Sequence, residues 1–331
     1  MNGMEKLIAQ FPKHIAEAIE IAKNSPLASL KVKSFNNVVI CGMGGSGIGG
    51  RIVTQWFSEV SKIPIVVCSD YRLPAFVDNN TLVIGSSYSG NTEETLEAIY
   101  TAHECGATIV GVSSGGELST FCRENNYELI TVPGGNPPRS MLAYSLVQLV
   151  HILSVAGIVG KDTLDQVEKV RSLINKELIT IKTQAKELAN LSYSKQVVFY
   201  APVNLEPIAI RGRQQWNENA KQLCSTHVVP EMNHNEVVGW SRKNESHVAV
   251  FIHSNFMHER NKFRLDWTKS EVEKCASSVF EIFPKGATAI EESLYIIHLL
   301  DWASAFLAEK NGVDIMDIQI IDRLKSALAE E

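Results

Sequence analysis

The sequence contains no CxxC pair, and its six cysteines, Cys41, Cys68, Cys105, Cys122, Cys224 and Cys275, are scattered. That excludes a zinc ribbon and a dense disulfide framework. There is no HExxH either. His253 and His258, beside the polar stretch NFMHERNK, read as exposed residues rather than metal ligands. No run approaches the roughly 18 uncharged apolar residues of a membrane span, and the interrupted stretch from Leu142 to Val159 reads as a core helix. Positive charge is not in excess: 31 Lys and Arg stand against 37 Asp and Glu, a net charge of -6. Such a balance opposes non-specific attraction to nucleic acid or to an anionic membrane surface. The N-terminus, MNGMEKLIAQFPKHIAEAIEIAK, reads as one amphipathic helix and lacks the form of a secretion signal. A globular protein of the reducing cytoplasm is expected.

What is present is an alternation of short β-branched runs with segments of helical period, the pattern of parallel sheets with crossover helices. NNVVICG, IPIVVCSD, TLVIGSS, ATIVGVSS and YELITVP supply five strands in the first half. The charged stretch Lys161 to Leu191 reads as a long helix between the halves. Beyond it, KQVVFYAP, HVAVFIHS and SSVFEIFP are strand candidates, and ESLYIIHLLDWASAFLAEKNG is a helix closed by a glycine. The expected organisation is an α/β chain of two domains, 1–155 with the leading helix and 192–331, joined by a helical connection over 156–191. A weak internal repeat relates Val38 to Trp56 with Val197 to Trp216, each running strand, loop, helix, tryptophan. The glycines of the first copy are absent from the second.

Two loops carry the chemistry. In VVICGMGGSGIGG, glycines and Ser46 stand between a strand and a helix, where unpaired N–H groups and the helix dipole favour an anion such as phosphate. The same letters spell GxGxxG across Gly42, Gly44 and Gly47, with Asp70 near the position of a ribose-binding carboxylate. A nucleotide-dependent oxidoreductase is therefore a rival reading. A Walker loop is disfavoured, because no Lys-Ser/Thr pair follows the glycines. The second loop, TLVIGSSYSGNTEETLEAI, offers Ser86, Ser87, Ser89 and Thr92 before a helix. In the plainer reading, Ser89 or Thr92 is only an N-cap. Both loops leave the carboxyl ends of parallel strands, and together they form a hydroxyl-rich cradle suited to a phosphomonoester.

The set GMGGSGIGG, SSYSGNTEET, PPRS, GRQQWNENAK and EMNHNE resembles the bifunctional phosphoglucose/phosphomannose isomerase family of sugar isomerase (SIS) domain proteins. The resemblance implies two SIS-like subdomains, each an open, mainly parallel sheet flanked by helices, and a homodimer with shared active sites. It also implies reversible isomerisation of glucose 6-phosphate, and plausibly mannose 6-phosphate, to fructose 6-phosphate through a cis-enediol, with no cofactor and no metal. Gly45, Ser46, Ser87, Ser89 and Thr92 would bind the phosphate.

For the chemistry, Glu218 is a candidate base, since a carboxylate set against neighbours such as Trp216 would have a raised pKa. The bland alternative is a solvated helix carboxylate, and the resemblance favours the proton shuttle between carbons 1 and 2. His234, in the polar stretch PEMNHNEVVGW, is matched to ring opening, with its loop reaching into the neighbouring subunit's site; His227 is assigned no role. Arg139, after Pro137 and Pro138, offers a cationic fork for the enediolate, where the alternative is a surface arginine. Lys325, in a terminal amphipathic helix, reads as exposed, but the family uses a lysine near its C-terminus in ring opening. GVDIMDIQIIDRLK lacks the prolines expected before that lysine, a departure that bears on ring opening and on acceptance of mannose 6-phosphate. The rival from another class is a non-catalytic sugar-phosphate sensor, which would need an output element, and none is evident.

Overall fold

The computed structural model describes residues 3–25, 27–328 and 330. They divide into two compact units. The N-terminal unit is Gln10–Lys176 with Lys285–Tyr295; the C-terminal unit is Glu177–Pro284 with the chain's start up to Ala9 and its end from Ile296.

The expected single leading helix is two, α1 (Gly3–Ala9) and α2 (Phe11–Lys23). Pro12 has no N–H to donate to Ile8 and its ring crowds that carbonyl, so a continuous helix is interrupted; in the first turn of α2 the same residue is harmless. Phe11, Ile15, Ala18, Ile19 and Ala22 form the buried stripe of α2.

The N-terminal unit continues with β1 (Asn37–Cys41), α3 (Gly44–Phe57), β2 (Ile65–Cys68), β3 (Thr81–Ser86), α4 (Glu93–Glu104), β4 (Thr108–Ser113), α5 (Gly116–Glu124), β5 (Glu128–Thr131) and α6 (Leu142–Val155). All five strands read from the sequence are present, in one parallel sheet of order β2-β1-β3-β4-β5. β3 and β4 are buried along their whole length, which accounts for their lack of polar alternation. The order reverses at β1, with β2 on one side and β3 on the other. The loops leaving β1 and β3 therefore flank the crevice where such sheets bind ligands.

The chain passes between units within α7 (Thr163–Ser192). Then follow β6 (Gln196–Pro202), α8 (Glu206–Ala220), β7 (Cys224–Val229), β8 (Asn244–Ile252), α9 (Glu259–Val272), β9 (Ala276–Ile282), α10 (Ala289–Asn311) and α11 (Gln319–Leu328). The sheet is parallel, in the order β7-β6-β8-β9. β7 was not foreseen, because CSTHVV carries its branched aliphatic residues only at the end. It is an edge strand paired to β6 alone, where polar residues are tolerated. β7-β6-β8 repeats the order β2-β1-β3, so the two copies that run to Trp56 and Trp216 share topology as well as element order. α10 closes at Gly312, whose φ of +65° suits glycine, with Val313 N–H donating to the Ala308 carbonyl at 3.2 Å.

The expectation that His253 is exposed is overturned. It is buried, its Nε2 lies 3.0 Å from Glu281 Oε1, and its ring stacks on Phe283 at 4.2 Å. His258 is exposed and caps α9, its Nδ1 accepting from Arg260 N–H at 3.1 Å.

His298, within α10, makes stability pH-dependent. Trp302 Nε1–H donates to its Nε2 at 3.1 Å. Burial, helped by nearby Lys182, pushes the imidazole down to about 3 from an ordinary 6.5. The unfolded chain takes up a proton near 6.5 that the folded chain refuses, so this contribution is complete above that pH and is lost on acidification towards 3. Each pH unit in the window should cost about 1.4 kcal/mol. Urea unfolding of the C-terminal unit's fluorescence at pH 7, 6 and 5 should show falling midpoints, with a flatter pH dependence in His298→Gln.

Candidate active site

The first loop is built by glycine. β1 ends at Cys41 and α3 begins at Gly44, which has a φ of +51°. A Cβ on Gly47 would lie 2.5 Å from the Gly42 carbonyl oxygen, and one on Gly42 would lie 2.8 Å from that of Ser86. The helix start can therefore close onto the strand end only without side chains at these positions. Ser46, buried in the first turn of α3, accepts a hydrogen bond from Tyr88 N–H at 3.3 Å, tying the first loop to the second.

In the second loop, Thr92 stands at the N-cap of α4 with extended backbone, but its hydroxyl makes no cap bond. It pairs instead with Ser87 Oγ at 2.8 Å, and Ser87 Oγ also accepts from Gly90 N–H at 3.1 Å. Ser89 is exposed, its Oγ accepting from Asn91 N–H at 3.2 Å. The plain capping reading thus accounts for neither hydroxyl. Glu93 and Glu94 occupy the first turn of α4, where carboxylates complement the dipole.

Arg139 lies in the 3-10 turn Pro138–Ser140 and is 2% exposed, which removes the surface reading. Its Cα is 3.7 Å from the position a Cβ on Gly45 would take. The turn and the first loop are therefore in contact. Gly45, Ser46, Ser86, Tyr88, Pro138 and Tyr144 line a small cleft at these strand ends. All five phosphate-binding candidates and Arg139 belong to this unit. Asp70, the carboxylate of the dinucleotide reading, is exposed and its Oδ1 accepts from its neighbour Tyr71 N–H at 2.7 Å.

The C-terminal unit carries Glu218, His234 and Lys325 on separate elements. Glu218 is half-buried near the end of α8. Trp216, expected beside it, is fully buried edge-on to Phe199 with ring centroids 5.1 Å apart. Residues two apart on a helix do not share a face, so the indole is core packing rather than the carboxylate's neighbour. His234 is exposed at the end of the 3-10 turn Glu231–His234. Lys325 is exposed on α11, which has no buried residue among those described and presents Ile320, Leu324 and Leu328 to solvent. Among the described residues, no three His, Cys, Asp or Glu side chains gather as around a metal ion, and no helix is long and apolar enough to cross a membrane.

Residues 31–155 match the SIS domain model, and residues 181–328 match that of the bacterial phospho-glucose isomerase C-terminal SIS domain. The chain is 35% identical to the bifunctional phosphoglucose/phosphomannose isomerase of Caldicellulosiruptor bescii, with 99% of each covered. It belongs to that family. The family's member from Aquifex aeolicus is 36% identical over 89% of this chain and 91% of its own. A D-glucosamine-6-phosphate 4-epimerase of Sulfolobus acidocaldarius is 31% identical over 69% of this chain and 72% of its own. Among solved structures, the C-terminal domain of glucosamine-fructose-6-phosphate aminotransferase from Francisella tularensis superimposes with a TM-score of 0.77 at 16% identity, covering 95% and 98% of the two chains. Tagatose-6-phosphate ketose/aldose isomerase from Escherichia coli gives 0.70 at 15%, covering 96% and 97%. These two likenesses concern the fold.

Within the family's SSYSGNTEET motif, Tyr88 went unassigned from sequence. Its N–H anchors Ser46, its carbonyl accepts from Ser114 Oγ at 2.7 Å, and its hydroxyl accepts from Asn136 N–H at 3.3 Å. Gly90 is the loop's most constrained residue: φ is +76°, and a Cβ there would lie 1.8 Å from the Gly115 carbonyl oxygen. Gly90→Ala should raise KM for a hexose 6-phosphate about tenfold, a loss of about 1.4 kcal/mol of binding, because the backbone must move to clear the Gly115 carbonyl oxygen and the loop's hydroxyls move with it. Steady-state kinetics beside far-UV circular dichroism checks this; an unchanged KM would detach the loop from substrate binding.

Proposed function

We propose that this chain interconverts fructose 6-phosphate with glucose 6-phosphate and with mannose 6-phosphate, by a metal-free cis-enediol route. The observation that carries the reading is the pair of cross-tied, hydroxyl-rich loops at the switch point of the first sheet, in a chain that aligns over nearly its whole length with one family member. Gly45, Ser46, Ser87, Ser89 and Thr92 hold the phosphate through hydroxyls and amides. His234 and Lys325 open the ring, giving a proton to the ring oxygen and taking one from the anomeric hydroxyl. Glu218 then removes the proton from carbon 2 of the aldose and returns it to carbon 1, while the guanidinium of Arg139 offsets the enediolate charge. The working form is a cytoplasmic homodimer with shared active sites, independent of nucleic acid and membranes, and the exposed apolar stripe of α11 suits burial against a partner.

A coupled assay of chelator-treated protein with fructose 6-phosphate tests the reading. Formation of both aldose phosphates is expected. Glucose 6-phosphate alone would narrow the specificity, and no turnover of fructose 6-phosphate, whether or not the protein epimerises glucosamine 6-phosphate, would overturn it.

A further inference from the structure

The turn around His234 is tied into the unit at several points, while the histidine itself is exposed. Met232 is fully buried in the cluster with Tyr200, Trp240 and Phe251. Asn233 Nδ2–H donates to Thr268 Oγ1 at 2.7 Å, and Thr268 is fully buried on α9. Asn235 Nδ2–H donates to Glu231 Oε1 at 3.0 Å, and its Oδ1 accepts from Glu236 N–H at 2.5 Å.

Glu236 is the outer end of this arrangement. Its Oε1 accepts from Tyr200 O–H at 2.6 Å, and its Oε2 lies 2.6 Å from His227 Nδ1. Tyr200 and His227 are register partners on β6 and β7, so one carboxylate spans two adjacent strands of the sheet. The direction of the tyrosine bond is fixed, because Trp240 Nε1–H already donates to the same hydroxyl at 2.8 Å and the phenolic proton must go to Glu236. Bonds to a carboxylate are among the stronger neutral-to-charged ties available to a turn.

We propose that Glu236 is a positioning residue, which locks the turn after β7 to the β6–β7 strand pair and so fixes the direction in which His234 is presented. The proposal rests on the reading of His234 as the ring-opening residue. Proton transfer to a ring oxygen is steep in geometry, and a displacement of about 1 Å costs on the order of 100-fold.

Glu236→Ala should therefore lower kcat on cyclic hexose 6-phosphates by about 10- to 100-fold. KM should change little. The affinity for an open-chain enediolate analogue, a five-carbon aldonic acid phosphate, should be unchanged, because binding it needs no ring opening. Glu236→Gln should restore most of the activity: its carbonyl accepts from Tyr200, and its amide donates to the other tautomer of His227. Tyr200→Phe, which removes one tie and keeps the ring in the core, should lower kcat in the same direction, and it carries the test should Glu236→Ala not fold. Wild-type kcat in Glu236→Ala, or in Tyr200→Phe where that variant decides, would overturn the proposal; so would a loss of analogue affinity in parallel with kcat. His234→Ala is measured alongside. If it keeps wild-type kcat, the ring-opening reading falls and takes this inference with it; if it loses kcat while Glu236→Ala does not, only the positioning role falls.

Discussion

Glu218→Gln is expected to lower kcat for fructose 6-phosphate by about 10²- to 10⁴-fold, the range general acid–base groups contribute. KM should stay near the wild-type value. The amide has the size and shape of the carboxylate but takes up no proton at neutral pH, so the loss falls on the step that moves hydrogen between carbons 1 and 2. Phosphate recognition is assigned to the loops after β1 and β3, on other elements. Folding should be little affected: Glu218 is half-buried, whereas the packing of α8 is carried by its neighbours Trp216 and Asn219, both fully buried. Hydrogen exchange supplies the decisive readout. Wild-type protein in deuterated water should wash solvent label into the substrate at the transferred position, and the glutamine variant should not. A variant that still exchanges would assign the proton to another base.

The two sheets were legible because buried parallel strands leave uninterrupted apolar runs, as in TLVIGS and QVVFYAP. The first loop was legible because only glycine fits where Gly47 meets the Gly42 carbonyl. What was hidden depends on pairing between distant residues. β7 reads as a polar segment until β6 lies beside it, and Tyr200, His227 and Glu236 converge only through that register. The hydroxyl of Thr92 reads as a cap because a single sequence does not reveal that it faces Ser87. Two features carry their own signal in the sequence. Pro12 already marks the break between α1 and α2, and helical geometry already turns Trp216 away from Glu218. The buried His253 looks exposed in the sequence because polar residues follow it, while it directly succeeds the apolar end of β8 at Ile252.

Asp301→Ala is expected to destabilise the C-terminal unit by about 3–5 kcal/mol, the loss typical of breaking one side of a buried ion pair. Arg211 is 1% exposed, and its Nη2 lies 3.2 Å from both carboxylate oxygens of Asp301; Gln215 Nε2–H donates to Oδ1 at 2.8 Å. Burial pushes the Asp301 carboxyl above its usual range, while Arg211 and Gln215 pull it down, so the carboxylate and its partners depend on one another. Alanine would leave the guanidinium buried without this carboxylate. Thermal unfolding should show a fall in Tm of roughly 10 °C. A paired replacement by apolar residues, Arg211→Met with Asp301→Leu, should recover much of the loss, because the desolvation cost of both charges disappears together. Arg211, Gln215 and Asn219 recur every fourth residue along α8, and Asn219 Nδ2–H reaches Ser304 Oγ at 2.9 Å on α10. If this polar stripe sets the roll of α8 about its axis, it also sets the direction of Glu218, next to Asn219. The apolar pair should therefore regain stability more completely than kcat. Equal recovery of both would mean that hydrophobic packing alone orients the helix.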